Sequence, residues 1–232
     1  MHVQVLLDPD ALARAAAAEV AQTATMAVTS RGICTLAFSG GSTPASMLAH
    51  LAGHDLPWDR IHVLQVDERV APDGHADRNL TGLRRDLVDR IPLPEANLNA
   101  MEVGHGDAER AALDYAAVLT RVAGHPAVLD LVHLGLGSDG HTASLLPDDP
   151  AATTDDRDVV VTRVHQGRRR VTLTMPVLER ARRLLWLVSG DKAVAVARLL
   201  ASDPSVPAGR VPQHRALLFC DQAAAPAGGA RD

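Results

Sequence analysis

A short apolar run ending in a glycine-rich turn that carries an acid and an imidazole constrains this chain more than any other stretch. Residues 129–147 read LDLVHLGLGSDGHTASLLP. Leu129, Leu131, Val132 and Leu134 have the near-continuous apolar character of a strand buried on both faces. Gly135, Gly137 and Gly140 then open a turn that permits close backbone approach, and Asp139 and His141 stand in it, followed by Thr142 and Ser144. Strands buried on both faces belong to sheets covered by helices on both sides, and the turn at the carboxyl end of such a strand is where these sheets carry their chemistry.

The rest of the chain repeats this alternation. Strands are expected at 3–7, 34–38, 61–66, 184–189 and 216–220. Between them, helices are expected from Asp8 or Asp10 to about Thr29, at 45–51, at 79–89, at 107–122 with Leu113, Ala117 and Val118 on one face, and at 193–201. Thr43 suits the N-cap of the second helix and Pro44 its first position. Residues 159–164 and 170–174 read as a hairpin around Gln166-Gly167, and the acidic segment 148–158 as an exposed, turn-rich connection. The pattern predicts a three-layer α/β fold with a mostly parallel sheet, helices on both faces and a small antiparallel addition. No linker or repeat divides the chain, so 1–232 is expected to be one domain, with a tail frayed beyond about 222.

Only five residues are Phe, Trp or Tyr, so the core must come mostly from Ala, Val and Leu. Among these, Trp58 and Trp186 read as packing, and His62 and His133, inside strands, as core or interface residues. With 23 basic and 28 acidic residues the formal charge is −5, without the basic footprint of a nucleic-acid binder. Arg168 and Arg169 read as a solvated turn. Cys34 and Cys220 lie in apolar runs, as reduced core thiols do. No run reaches membrane-spanning length and the first residues lack a leader pattern, which makes a soluble cytoplasmic protein the expectation.

In a parallel sheet the carboxyl ends of the strands share one edge. Four of them carry unusual polar sequence: Ser39-Gly40-Gly41-Ser42-Thr43, Asp67-Glu68-Arg69, Ser138-Asp139-Gly140-His141-Thr142 and Gly190-Asp191-Lys192. Together they supply backbone N–H groups at a helix start, carboxylates, a guanidinium, an imidazole and an ammonium. That set suits a phosphorylated small molecule undergoing proton transfer. No HxxE or CxxC spacing points to a metal, and no cofactor is implied.

The motifs GGSTP at 40–44, DER at 67–69, GLGSDGHTASLLP at 135–147, RVTLT at 170–174 and GDK at 190–192 resemble, in order and spacing, the 6-phosphogluconolactonase family. That family lies in a wider group with the glucosamine-6-phosphate deaminases. The resemblance implies a Rossmann-like sheet and hydrolysis of 6-phospho-D-glucono-1,5-lactone to 6-phosphogluconate, the second step of the pentose phosphate pathway. The deaminases carry Glu-Pro five residues after the His of this turn, where this chain has Leu146-Pro147, and an aromatic residue where it has Arg69. Both differences favour the lactonase. Deaminase chemistry and a non-catalytic phosphosugar-binding protein on the same fold are the alternatives. The chain departs from the family at Arg78-Asn79, where Ser-Asn is usual, and at Leu146, where Phe is usual.

The resemblance assigns His141 as the base that activates water. Asp139 either orients its ring or holds a neighbouring loop. Arg170 and Lys192 are implied phosphate ligands, with Gly40, Gly41, Ser42 and Thr43 adding the loop and helix terminus. Asp67 and Arg69 either contact sugar hydroxyls and the oxyanion or pair structurally, and Glu68 and Asn79 rank below them. Gly140 and Thr142 complete the expected substrate contacts. The expected partner is a small phosphosugar lactone, with neither nucleic acid nor membrane, and the expected assembly a monomer or weak dimer.

Overall fold

The computed structural model describes residues 1–226. Strand β1 (His2–Leu6) leads to Asp8, whose carboxylate accepts the Ala11 N–H at 2.7 Å and caps the long helix α1 (Pro9–Arg31). Seven α1 positions from Ala13 to Ala27 are buried alanines or Val20, which lets this helix lie close on the sheet. There follow β2 (Cys34–Phe38), α2 (Ser42–Leu51), β3 (Ile61–Gln65), β4 (Asp67–Arg69), α3 (Asn79–Asp86), β5 (Leu98–Asn99), α4 (Ala108–Ala123) and β6 (Leu131–Leu134). The second half adds β7 (Val159–Val161), β8 (Arg170–Leu173), α5 (Met175–Arg180), β9 (Leu184–Val188), α6 (Ala193–Leu200), α7 (Pro207–Arg210) and β10 (Ala216–Asp221).

Seven strands form one sheet in the order β1-β10-β9-β6-β2-β3-β5, every neighbouring pair parallel. From β2 the chain winds outward through β3 to β5. It then returns to lay β6 on the other side of β2 and winds outward again through β9 to β10. Loops leaving β2 and β6 therefore diverge in opposite directions, which opens a crevice at their carboxyl ends. Strand side chains alternate between two cores. Leu185 and Leu187 of β9 face α1 and α2, whereas Leu184, Trp186 and Val188 face α4, α6 and the small sheet. The three layers are those the apolar pattern implies.

The small sheet is antiparallel and ordered β4-β8-β7. Its hairpin turns at Gln166-Gly167, both at positive φ, as expected, and the short β4 joins it from the 67–69 segment. Leu173 N–H donates to the Val66 carbonyl at 2.9 Å, tying this sheet to the end of β3.

Several boundaries differ from the sequence reading. Helix α2 starts at Ser42 with Gly41 as its N-cap, so Pro44 sits inside the first turn and Thr43 caps nothing. Helix α3 stops at Asp86 and a 3₁₀ turn, Val88–Arg90, follows. Helix α4 buries Ala108, Ala111, Ala112, Tyr115 and Leu119, while Leu113 is 65% exposed, because small residues form the face that meets the second sheet. In the segment 148–158, Asp149, Ala151 and Ala152 are buried around a 3₁₀ helix, Pro150–Thr153, that Asp149 caps. Beyond 222, Ala224 is buried and donates its N–H to Asp221; the remainder of the expected frayed tail, 227–232, lies outside the described residues.

Candidate active site

The crevice at the β2–β6 switch holds a cavity of about 290 Å³. It is lined by residues 39–44, by Asp67, Arg69 and Asn79, by Gly135, Leu136 and Gly137, and by His141, Arg170 and Lys192. That volume is near the lower end for small-molecule sites, roughly 300–1,000 Å³.

His141 stands half-buried at the wall of this cavity. Asp139 Oδ1 lies 2.6 Å from its Nδ1 and also accepts the His141 backbone N–H at 3.1 Å. A carboxylate can only accept, so Nδ1 carries the proton and Nε2 is left as the basic nitrogen. Burial opposes ionisation of Asp139, but the His141 backbone N–H and ring outweigh it and hold the carboxyl below the usual range. The sequence permits this packing through Gly137, where a Cβ would overlap both His141 Nδ1 and Asp139 Oδ1. Gly140, at φ 84°, turns the chain between the two, and its carbonyl accepts the Ala208 N–H of α7 at 3.0 Å.

On the opposite wall, the β4–β8 register sets Arg69 directly across from Arg170 and Asp67 across from Thr172. Like charges directly opposed on a sheet repel. Burial pulls the Arg170 guanidinium below its ordinary value, offset by Asp67 and deepened by Arg69. Asp67 is buried; Ser144 Oγ donates to its Oδ2 at 2.6 Å, and Asn79 Nδ2 donates to its carbonyl at 2.8 Å. Burial nonetheless raises the Asp67 carboxyl above its ordinary value, with Ser144 and Arg170 opposing the rise. Among the described residues no ion pair joins Asp67 to Arg69; Arg69 Nη1 instead donates to the Asp77 carbonyl at 2.9 Å. Glu68 points away from the cavity, fully buried. It accepts the backbone N–H groups of Arg69, Asn79 and Leu80 at 2.7, 2.7 and 2.9 Å.

The remaining wall is made of helix starts. No side chain caps α2 or α6, and Lys192, the N-cap residue of α6, turns its ammonium to the Leu136 carbonyl. The loop before α2 is anchored by buried His133. Its Nδ1 lies 3.3 Å from the Ser39 N–H, and its carbonyl accepts Ser39 Oγ–H at 3.0 Å. Desolvation lowers the His133 imidazole to about 4, so it is neutral and accepts through Nδ1.

Of the expected site residues, Gly40, Gly41, Ser42, Thr43, Asp67, Arg69, His141, Arg170 and Lys192 line one cavity. Asp139 stands behind His141. Gly140 and Thr142 do not line the cavity: Thr142 is buried, and its hydroxyl donates to the Gly135 carbonyl at 2.9 Å. Ser144, two residues on, is the hydroxyl that reaches across to Asp67 and Arg170, at 2.6 and 3.4 Å. The sequence shows a second hydroxyl after the turn, but not which of the two meets Asp67 and Arg170. Among the described residues, no three His, Cys, Asp or Glu side chains gather as a metal site, and no helix is long and apolar enough to cross a membrane.

The fold and this cavity have counterparts. A family model described as glucosamine-6-phosphate isomerases/6-phosphogluconolactonase matches residues 7–219. A 6-phosphogluconolactonase of Synechocystis sp. is 38% identical over 232 residues, covering 96% of each chain. One from Mycobacterium tuberculosis is 35% identical over 238 residues, again covering 96% of both. Among solved structures, 6-phosphogluconolactonase from Trypanosoma cruzi superposes with a TM-score of 0.85 at 25% identity, covering 96% of this chain and 95% of that one. The match extends over the strand ends that build the cavity as well as the scaffold behind them, and the chain is a member of the glucosamine-6-phosphate isomerase/6-phosphogluconolactonase family.

Proposed function

We propose that this protein hydrolyses 6-phospho-D-glucono-1,5-lactone to 6-phospho-D-gluconate in the oxidative branch of the pentose phosphate pathway. The observation that carries this reading is one cavity with a carboxylate-oriented imidazole on one wall and two opposed guanidinium groups on the other. His141 Nε2 takes a proton from water as the oxygen attacks C1, and the resulting imidazolium, balanced by Asp139, gives that proton to the ring oxygen as the C1–O bond breaks. The phosphate is held by Arg170 and Lys192 with the N–H groups at the start of α2, and Arg69 faces the same anion from across the β4–β8 pair. An anion between Arg69 and Arg170 removes the repulsion that their register otherwise imposes. Asp67 and Asn79 are left for sugar hydroxyls.

Leu146 favours the lactonase over the deaminase. It is buried outside the cavity, where the deaminases carry a carboxylate, so His141 has Asp139 as its acidic partner and no second one from that position. A cytoplasmic monomer or weak dimer acting on this small molecule belongs to the same proposal. Purified protein should consume the freshly made lactone and leave glucosamine-6-phosphate untouched. Turnover of the amino sugar with none of the lactone would reverse the assignment, and binding without turnover of either would make the protein a phosphosugar receptor.

A further inference from the structure

The tip of the β7–β8 hairpin touches Arg170 directly, stands beside His141 and reaches Arg69 through Asp77. Its backbone is closed by paired bonds between His165 and Arg168, so Gln166 and Arg168 are held in place by a tight two-residue turn. Gln166 Oε1 accepts from Arg170 Nη2 at 3.3 Å. Arg168, far from being solvated on all sides, is half-buried. Its Nε donates to Asp77 Oδ2 at 2.8 Å, and its Nη2 lies 3.3 Å from His75 Nε2. Asp77 in turn uses its backbone carbonyl to hold Arg69 Nη1 at 2.9 Å, and its N–H meets His75 Nδ1 at 3.1 Å. The His165 ring sits edge-on to that of His141, centroids 6.4 Å apart.

Both arginines that face each other across the β4–β8 pair are therefore restrained from the same tip, one directly and one through Asp77. Repulsion between them would otherwise turn the two guanidinium groups apart toward solvent whenever the cavity holds no anion. We propose that Gln166 and Arg168 are positioning residues that hold Arg170 and Arg69 convergent in the empty cavity, so that an incoming phosphate meets a preformed pair. Preorganisation of this kind acts on substrate affinity, because ordering the arginines no longer has to accompany binding. The inference builds on the phosphosugar reading of the cavity.

The test compares Gln166→Ala, Arg168→Ala and the double variant with wild-type protein, using lactone kinetics, calorimetric titration with 6-phosphogluconate and thermal melting. Expected are a KM raised about three- to tenfold in each single variant and further in the double, kcat within about twofold, and matching losses of affinity for 6-phosphogluconate. Gln166→Met, which keeps the length of the side chain but offers Arg170 no oxygen acceptor, should raise KM as Gln166→Ala does, whereas a purely structural role would show as a lowered melting temperature with KM unmoved. An unchanged KM in both alanine variants overturns the proposal and leaves the lactonase reading standing. Absence of wild-type turnover overturns that reading instead. The proposal is then decided by calorimetry alone, and equal 6-phosphogluconate affinity in wild type and variants rejects it.

Discussion

Asp139 Oδ1 and His141 Nδ1 are 2.6 Å apart, and the same oxygen accepts the His141 backbone N–H, so one carboxylate fixes both the ring and the turn that carries it. Asn in place of Asp139 can present its NH₂ to Nδ1 and favour the wrong tautomer. Asp139→Asn should therefore lower kcat by about two to three orders of magnitude with little change in KM, as loss of a general base contributes roughly 10²–10⁴. Initial rates corrected for spontaneous lactone opening measure this. A variant within threefold of wild type would remove Asp139 from the mechanism.

Buried His133 makes stability fall on the acid side. Its folded value of about 4 lies below the ordinary 6.5, so the unfolded chain takes up the proton first. The associated stability is present above about pH 6.5 and is lost as pH falls through 6.5 toward 4; the full loss is roughly 3 kcal/mol. Urea titrations at pH 7 and pH 4.5 should show this decline in the wild type and a smaller one in His133→Leu. Equal declines in the two proteins would place the acid sensitivity elsewhere.

What the sequence made legible follows from what each signal depends on. Strands such as 34–38 and 184–188 are read directly because both faces are covered and every residue but Thr35 is apolar. The cavity residues at strand ends were legible for the same reason: once the strands are parallel, their carboxyl ends must meet. The start of α2 differs from the sequence expectation because Thr43-Pro44 has the form of a common cap, whereas the fold puts Gly41 there and leaves the first turn without a side-chain cap. Spacing alone cannot say whether Thr142 or Ser144 crosses to Asp67, which lies 77 positions from Ser144 in the chain. Arg168 shows the same limit, since its partner Asp77 lies 91 positions off and only the tertiary fold joins them.

Lys192 stands at the positive end of α6 with no side-chain cap beside it, a placement that costs stability unless an anion is bound. Lys192→Met should accordingly change the stability of the unliganded protein by no more than about 1 kcal/mol, relief of the charge at the helix start offsetting the lost bond to the Leu136 carbonyl, while raising KM at least tenfold. Melting curves with and without inorganic phosphate separate the two effects: phosphate should stabilise the wild type more than the variant. Equal stabilisation would move the anion site away from Lys192.

Arg78, one of the two departures from the family motif, stands outside the cavity and braces the segment beside it. Where the resemblance leads one to expect Ser, this guanidinium is buried, 1% exposed, with Nε 3.0 Å from Glu68 Oε2 as an ion pair rather than an aligned hydrogen bond. Its Nη atoms donate to the carbonyls of Ala71 and Met101 and to Asp73 Oδ1 at 3.1, 3.2 and 2.7 Å, which fixes the segment between β4 and α3. Removing one partner of such a pair strands the other, at a cost of about 3–5 kcal/mol. Arg78→Ala should sit at the low end of that range, because Glu68 retains the N–H donors of Arg69, Asn79 and Leu80 and the Gln65 amide. Combining Arg78→Met with Glu68→Gln removes both charges at once, so the double variant should be less destabilised than the sum of the singles, by about 1–3 kcal/mol. Denaturant titrations of the four proteins close the cycle. Strict additivity would mean that the two charges do not interact and that the carbonyl contacts alone hold the segment.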